Sequence, residues 1–454
     1  MQNNLQNLNK IQQQMSSTKN FSKPSDDPLN VQRAMQLQTA IDANTQYASN
    51  IKTASKWMDT TDTALGQLGT ALSNIRANLV KSGNAYSQSD KDKINDEVNQ
   101  QISEIAQILN TNFEGEYIFG GTAGSSKPIM TDNYDITRSG KDDNGNDLSD
   151  YEGCVLLKYS NKDGKEVENL PAVVSDGFDV SKWQNKTIDF SIDGGTKISI
   201  SVKSGDSDID AVVKDINSQI QSNSNLKDKI NVVKTNDSNI KFLAVDSSQN
   251  ITISTDIADM SKVNGKQLSS MDMENISSKK VIEVSQGVVL DYNATATEVM
   301  TYGDGADDNI SSLMDRVVHH LAGEVKSYTK EDGSKFGKDD EGAILGSDGN
   351  YYKWVYDAKA AQKELGGQDL VDMDAASSQV SKVRSQIGAK DSRMSDLGNQ
   401  NSAAKLNLTD TLSNTEDIDL TKKTIEFATM ITVYQACLQT GAKIMQPTLM
   451  DYIS

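Results

Sequence analysis

Two runs of apolar residues at coiled-coil spacing, one near each end of the chain, constrain this sequence more than anything else in it. Between residues 28 and 81 one seam passes through Leu37, Ile41, Ile51, Met58, Leu65 and Leu72, and a second through Ala54, Trp57, Thr61, Ala64, Leu68, Ala71 and Ile75. Steps of three and four residues hold such positions on one helical stripe, and two adjacent stripes require a helix with two neighbours. Pro24-Ser25-Asp26-Asp27-Pro28 marks the start, with Asp27 suited to the N-cap and Pro28 to the first helical turn. A helix of this length reaches roughly 75–80 Å. Residues 370–412 repeat the pattern through Met373, Ala376, Val380, Val383, Ile387, Met394 and Leu408. Antiparallel pairing of the two runs is the economical arrangement.

The segments outside this pair are helical as well. The last helix is expected over residues 416–446, ended by Pro447. One seam holds Phe427, Ile431, Tyr434, Leu438 and Met445; beside it runs Met430, Val433, Cys437 and Ile444. Leu5, Leu8 and Met15 give the N-terminal segment a matching stripe. Two lone helices with two apolar seams carry more apolar surface than one mutual contact covers, so the remainder is expected to meet other subunits. The first C-terminal seam is assigned to the N-terminal helix and the second to neighbours. Leu449, just beyond, is counted with the assembly residues.

The middle of the chain changes character. A shorter helix with Ile94, Val98, Ile102, Ile105 and Leu109 is followed by Tyr117–Thr122, read as a strand ending in a turn. Residues 126–290 are rich in Asp, Asn, Ser and Gly. Alternating strands at 187–192 and 197–202 flank Asp193-Gly194-Gly195, a hairpin signal. A short amphipathic helix through Ile209, Val213, Ile216 and Ile220 follows, then strands at 240–245 and 250–254, giving a ββαββ unit. Leu313, Val317 and Leu321 mark a brief helix, and residues 327–368 read as loop or hairpin. The fold class is therefore α+β: an elongated helical bundle of the two chain ends with an inserted β-rich outer domain. The expected domains are 1–27 with 414–454, 28–125 with 291–413, and the insert 126–290.

Chemistry is hard to assemble from these residues. The chain has 454 residues, a net charge of -19 and two histidines, His319 and His320, adjacent to each other. That acidity disfavours nucleic acid and anionic membrane surfaces as partners. The neighbouring histidines diverge by about 100° on a helix and are read as solvated residues rather than metal ligands. Asp142, Asn144 and Asn146 resemble the start of a calcium loop, but its Gly and distal Glu positions hold Asp147 and Gly153. Asp304, Asp307 and Asp308 read as an ordinary acidic turn, and Gly120-Gly121 lacks the Lys of a phosphate loop. Cys437 sits on an apolar face as a small hydrophobe, and a disulfide with Cys154, in another expected domain, is not anticipated. No catalytic residue, metal or cofactor is assigned. A run long enough for a membrane span is absent, and MQNNLQNLNKIQQQ has no apolar core of a Sec-type signal.

Several segments resemble the flagellar hook-associated protein 3 family, within the flagellin superfamily. NLNKIQQQMSSTKNFSKPSDDP, ending at Pro28, is similar to the family's opening, and Pro24, Ser25, Asp26, Asp27 and Pro28 are its most specific part. NFEGEYIFGGT (112–122), VIEVSQGVVLDYNATA (281–296), LTDTLSNTEDIDL (408–420) and TGAKIMQPTLMDY (440–452) resemble later family segments in order. The family's opening usually has a few more residues before the part aligned with Asn3, and its connection at 327–368 is usually shorter. The resemblance implies an inner tube domain from the terminal helices, an intermediate domain from the long helices, and an outer insert. It further implies a non-enzymatic subunit of the hook–filament junction, polymerising as a ring and flanked by another hook-associated protein and flagellin. An export chaperone, passage through the flagellar type III apparatus and an extracellular location complete the expectation. A flagellin of the filament itself is one rival reading; an adhesive insert and an inserted metallopeptidase are others, the last without a His-Glu-x-x-His motif.

Overall fold

The structure is a computed structural model. It describes residues 2–83, 87–138, 141, 145, 147–170, 172–205, 207–235, 237–245, 249–305, 307–330, 333–338, 340, 342–345 and 350–444. The chain opens with helices α1 (Gln2–Ser17), α2 (Pro28–Ser82) and α3 (Gln88–Leu109). Strands β1 (Asn112–Phe113) and β2 (Glu116–Tyr117) form a small hairpin, followed by β3 (Ile129–Ile136), β4 (Tyr151–Ser160), β5 (Glu166–Val167) and β6 (Val173–Val174). After α4 (Val180–Trp183) come β7 (Thr187–Ile192), β8 (Ile198–Ser201), α5 (Ile209–Ser222), β9 (Ile230–Lys234), β10 (Ile240–Ala244) and β11 (Ile251–Thr255). Then follow α6 (Met271–Ser277), the hairpin β12 (Val281–Ser285) and β13 (Val288–Asp291), α7 (Ala296–Met300) and α8 (Ile310–Leu321). Strands β14 (Glu324–Ser327), β15 (Ile344–Leu345) and β16 (Tyr351–Tyr356) precede α9 (Ala358–Leu365), α10 (Gln368–Glu416) and α11 (Leu420–Ile444).

The chain divides into two compact units: Met1–Ala54 with Ile282–Leu290 and Arg393–Ser454, and Ser55–Val281 with Asp291–Ser392. In the first, Asn401 donates to the carbonyl of Asn44 at 2.8 Å, tying α10 to α2, and Ala34, Ile41 and Ile51 are buried along α2. Asn50 donates to the carbonyl of Glu283 at 2.8 Å, seating the β12–β13 hairpin on the same helix.

In the second unit both expected seams of α2 are buried as far as Ile75, and Met373, Ala376, Val380, Val383 and Ile387 of α10 are buried with them. Arg384 pairs with Asp62 at 2.8 Å and Arg76 with Asp374 at 2.6 Å. The rising numbers on one helix meet falling numbers on the other, so the long helices run antiparallel, as their periodicity predicts. The second seam is occupied because this unit supplies further neighbours. Trp57 meets Phe113 and Tyr292 edge to face, at 5.8 and 5.7 Å between ring centres. Ile118 and Phe119 are buried but in a turn, not in the strand expected at 117–122, because Gly120 and Gly121 fold the chain back immediately. Strand β4 lies between β3 and β5 and packs on α3 and α8.

Residues 173–268 hold a core of their own, centred on Trp183, Phe190 and Phe242. The expected hairpin is present. Asp193 (φ 50°) and Gly194 (φ 70°) form a turn inside its loop, where Gly195 N–H donates to Ile192 O at 2.8 Å, and the ladder closes at Phe190 opposite Ile198. Sheet order is β11-β7-β8 and β6-β10-β9. The unit is thus ββαβββ rather than ββαββ. The additional strand β9 buries Ile230 and Val232 and pairs with β10 along its whole length, an alternation too short to stand out in sequence. Asp259 knits the module together: its carboxylate accepts from Trp183 Nε1 (3.2 Å), Asp179 N–H (3.1 Å) and Lys182 Nζ (2.7 Å). Burying each large apolar side chain of this core contributes roughly 1.5–3 kcal/mol.

Candidate functional site

The terminal helices α1 and α11 form the surface that the sequence marks for assembly. They run antiparallel, and not one residue of α1 is fully buried. Contact is made by half-buried residues, mostly at steps of three and four: Asn4, Leu8, Ile11 and Met15 on α1, and Phe427, Met430, Ile431, Tyr434, Cys437 and Gly441 on α11. Asn4 donates from its amide to Cys437 Sγ at 3.4 Å. Leu5, Leu420, Ile425, Val433 and Leu438 are exposed, Ile425 at 64%.

This arrangement corrects the division of the two C-terminal seams. Met430 and Cys437, assigned to neighbouring subunits, turn toward α1; Leu438, assigned to α1, turns outward along with Val433. At about 100° per residue the contact stripe is centred between the two heptad seams, so each seam gives up part of itself to the pair. Ile444 ends α11, and Met445, Pro447 and Leu449 lie outside the described residues.

The break between the long helix and the last one, expected at about 412–416, lies at residues 417–419, and the last helix begins at Leu420. Here the ends of α1 and α10 are clipped together. Asn20 N–H donates to Glu416 O and Ile418 N–H to Thr18 O, at 2.7 and 3.1 Å. The Asn20 amide reaches Asp417 O at 2.7 Å, while Gln14 donates to Asn20 O at 2.6 Å. Lys19 bridges Glu416 (3.1 Å) and Asp417 (3.0 Å), and the Asp417 hydrogen bond raises its pKa. The Ser413 hydroxyl first, and then Lys19, hold the Asp417 carboxyl below its ordinary range. Asp419 accepts from Lys422 N–H at 3.0 Å and so caps α11. Its Asp-Leu-Thr-Lys run is an N-cap signal that would have located the break.

The Pro24–Pro28 motif has a physical task. Asp26 accepts from the N–H groups of Ser22 and Lys23, both at 3.0 Å, which lowers its pKa and closes the turn. Asp27 accepts from Asn30 N–H at 3.1 Å and caps α2, as expected. Pro24, Pro28, Val31 and Met35 line a shallow apolar groove of about 400 Å³, where Met35 is exposed at 65%.

Against this geometry the chain matches known proteins. Residues 1–124 match the bacterial flagellin N-terminal helical region, and residues 370–453 the bacterial flagellin C-terminal helical region. Both ends of this chain are thus similar to the helical end-regions of bacterial flagellin. The flagellin-type segments thus contain α1 and α2 at one end and α10 and α11 at the other, the helices that pair. Flagellar hook-associated protein 3 of Salmonella typhimurium is 29% identical over 122 residues, and its Escherichia coli counterpart 28% identical over 122 residues. Each of these matches covers 26% of this chain and 38% of the relative, so the chain spans little more than a third of those proteins' length. Among solved structures, the flagellar hook associated protein-3 of Legionella pneumophila aligns with 85% of this chain and 98% of its own, at 14% identity and a TM-score of 0.36.

The histidines differ from their expected solvated state. His319 and His320 are buried: His319 Nδ1 lies 2.8 Å from Glu324 and its ring stacks on Trp354 at 3.9 Å, while His320 Nδ1 lies 2.6 Å from Asp369. Helix α8 is covered on one face by β14 and β16 and on another by α10, and this burial could not be seen from two adjacent polar letters. Arg316 shares Asp369 at 2.9 Å, so the network is an interior ion-pair cluster. Asp308 accepts from Gly305 N–H at 2.8 Å and returns its own N–H to Gly305 O at 3.1 Å. Asp142, Asn144 and Asn146 lie outside the described residues. Cys154 is buried, which raises its thiol to about 12, and it and Cys437 are free thiols.

Proposed function

We propose that this chain is a non-enzymatic structural subunit of the bacterial flagellum, standing at the junction between hook and filament and assembling through its terminal helices. The observation that carries this reading is a flagellin-type helix pair in which α1 buries no residue and the outer face of α11 leaves Ile425, Val433 and Leu438 in solvent. A two-helix contact of that kind is incomplete until further apolar surface covers it. Leu5, Leu8, Met15, Phe427, Met430, Ile431, Val433, Tyr434, Cys437, Leu438, Ile444, Met445 and Leu449 form the proposed assembly set, some within the pair and some toward neighbours. In this layout residues 1–27 and 414–454 make the inner polymerising domain, 28–125 and 291–413 the intermediate one, and 126–290 the outer domain. The proposed partners are further copies of the chain in a ring, an adjoining hook-associated protein, flagellin, and an export chaperone before assembly. Export through the flagellar apparatus to the cell exterior belongs to the same proposal. Immunogold labelling of isolated flagella tests it: label confined to the hook–filament boundary supports the reading, and label along the filament overturns it.

The matching end-regions are those of flagellin itself, which favours a filament subunit as the second reading. Purified protein that grows long filaments in salt would establish that alternative; protein that stays unpolymerised supports the junction.

A further inference from the structure

A cleft of about 750 Å³ opens in the second unit between the last turns of α3, Tyr117 at the end of β2, the 125–131 approach to β3, and the β4–β5 turn. Its size is that of a small-ligand site. The walls are held from behind. Asn110 donates to Ile129 O at 2.8 Å and accepts from Ile129 N–H at 3.2 Å. Asn161 Oδ1 accepts from Asp163 and Lys165 N–H groups, both at 3.0 Å, and its amide donates to Asp272 at 3.1 Å. Tyr117 N–H donates to Gly124 O at 2.8 Å. With these bonds made, the cleft exists before any ligand arrives.

What remains for a ligand is a set of donors. The ammonium groups of Lys127 and Lys162, the Gln107 amide and the hydroxyls of Tyr117 and Ser125 line the cleft and have no partner among the described residues. The nearby Lys158, by contrast, is matched to Asp132 and Glu166. No described carboxylate lines the cleft, although the chain carries 64 acidic residues against 45 basic ones. A donor-rich, carboxylate-free site selects a ligand rich in acceptors and negatively charged. A single compact anion leaves most of this volume unfilled. A nucleic-acid strand, charged at every step, meets the repulsion of a chain of net charge -19. An oligosaccharide with spaced carboxylates has the required acceptors, moderate charge density, and an apolar ring face for Tyr117.

We propose that this cleft binds an acidic oligosaccharide, with carboxylates at Lys127 and Lys162 and a sugar face against Tyr117. The site uses neither terminal helix and is independent of the assembly reading. Titration calorimetry on the full chain at low salt, with a hyaluronan hexasaccharide, whose carboxylates lie on alternate sugars, and neutral maltohexaose as probes, tests it. The hyaluronan hexasaccharide should bind and weaken as salt is added, and maltohexaose should not bind. The double substitution Lys127→Gln/Lys162→Gln should lower affinity about tenfold or more, at unchanged melting temperature. A control pair on exposed lysines of α5 and the following turn, Lys214→Gln/Lys227→Gln, removes the same charge and should leave affinity unchanged. Absence of hyaluronan hexasaccharide binding, equal binding of maltohexaose, or equal loss in the control pair overturns the proposal. None of these outcomes bears on the location of the protein in the flagellum.

Discussion

Thr18 and Ile418, near opposite ends of the chain, are joined directly: Ile418 N–H donates to Thr18 O at 3.1 Å. Thr18 takes a left-handed conformation, φ 57°, to present that carbonyl. The bond sits in a clip where α1 ends, α10 ends and α11 begins. Asn20 serves it twice, with its backbone N–H to Glu416 O and its amide to Asp417 O. The clip fixes the register of α1 on α11, which no buried core does.

Asn20→Ala should therefore loosen the terminal pair selectively. It removes one side-chain hydrogen bond to a partly covered carbonyl, worth about 1 kcal/mol. Amide hydrogen exchange should accelerate across residues 2–17 and 420–444, while the centre of α2 and of α10 stays protected. Unchanged exchange in α1 would show that the helix contact alone sets the pairing.

Under the proposed assembly, Val433 and Phe427 should separate assembly from subunit folding. Val433 is 43% exposed, so Val433→Asp places its carboxylate in water and the isolated subunit should melt as the parent does. In an assembled contact the same carboxylate is desolvated without a partner, at a cost of several kcal/mol. Cells carrying it should lose motility and shed flagellin into the medium, with secreted subunit measured to account for export. Phe427, half-buried toward α1, should behave differently: Phe427→Asp should expose the terminal pair to proteolysis in the isolated protein. Normal swimming of the Val433→Asp strain would remove this face from the assembly contact.

Gly121 is irreplaceable for a local reason. It has φ +58°, and a Cβ there would lie 2.2 Å from Asn275 O and 2.5 Å from Ile276 O. Both obstacles are backbone, which cannot swing aside as a side chain does. Gly121→Ala should destabilise the second unit by about 3 kcal/mol or more, while Gly115→Ala, with the same sign of φ but open space, should cost about 1 kcal/mol. Denaturant melts of the two variants would settle the difference; equal losses would show that φ alone matters.

The ion pairs between α2 and α10 should make acid weaken their association. The Arg384 guanidinium, by its hydrogen bonds to Asp62, holds that carboxyl below the ordinary value of 3.8, and Arg76 does the same for Asp374. A carboxyl lowered on folding adds stability above its unfolded value, and that contribution fades as pH falls through the lowered folded value. Asp62→Asn should thus melt below the parent by a constant margin from pH 7 down to about 5, and the gap should close at more acidic pH. A gap that persists unchanged at pH 2 would assign the loss to packing rather than charge.

Much of this architecture was legible in the letters because it depends on period. Residues 54–75 and 373–387 announce a long antiparallel pair, Asp27 and Pro28 its start, and Asp193-Gly194 a hairpin, since each follows from local backbone geometry and the spacing of apolar side chains. The identities in Pro24–Pro28 likewise correspond to bonds made within a few residues. What sequence could not decide lies in contacts between distant segments. Whether Cys437 or Leu438 faces α1 depends on how one helix rolls against another, and a roll of part of a turn leaves the heptad pattern unchanged. The burial of His319 and His320 depends on β16 and α10 closing over α8, and the strand β9 becomes one only by pairing with β10. Periodicity specifies which surfaces are apolar; only the tertiary structure decides which of them meet, because that choice is made by packing and pairing among segments far apart in the chain.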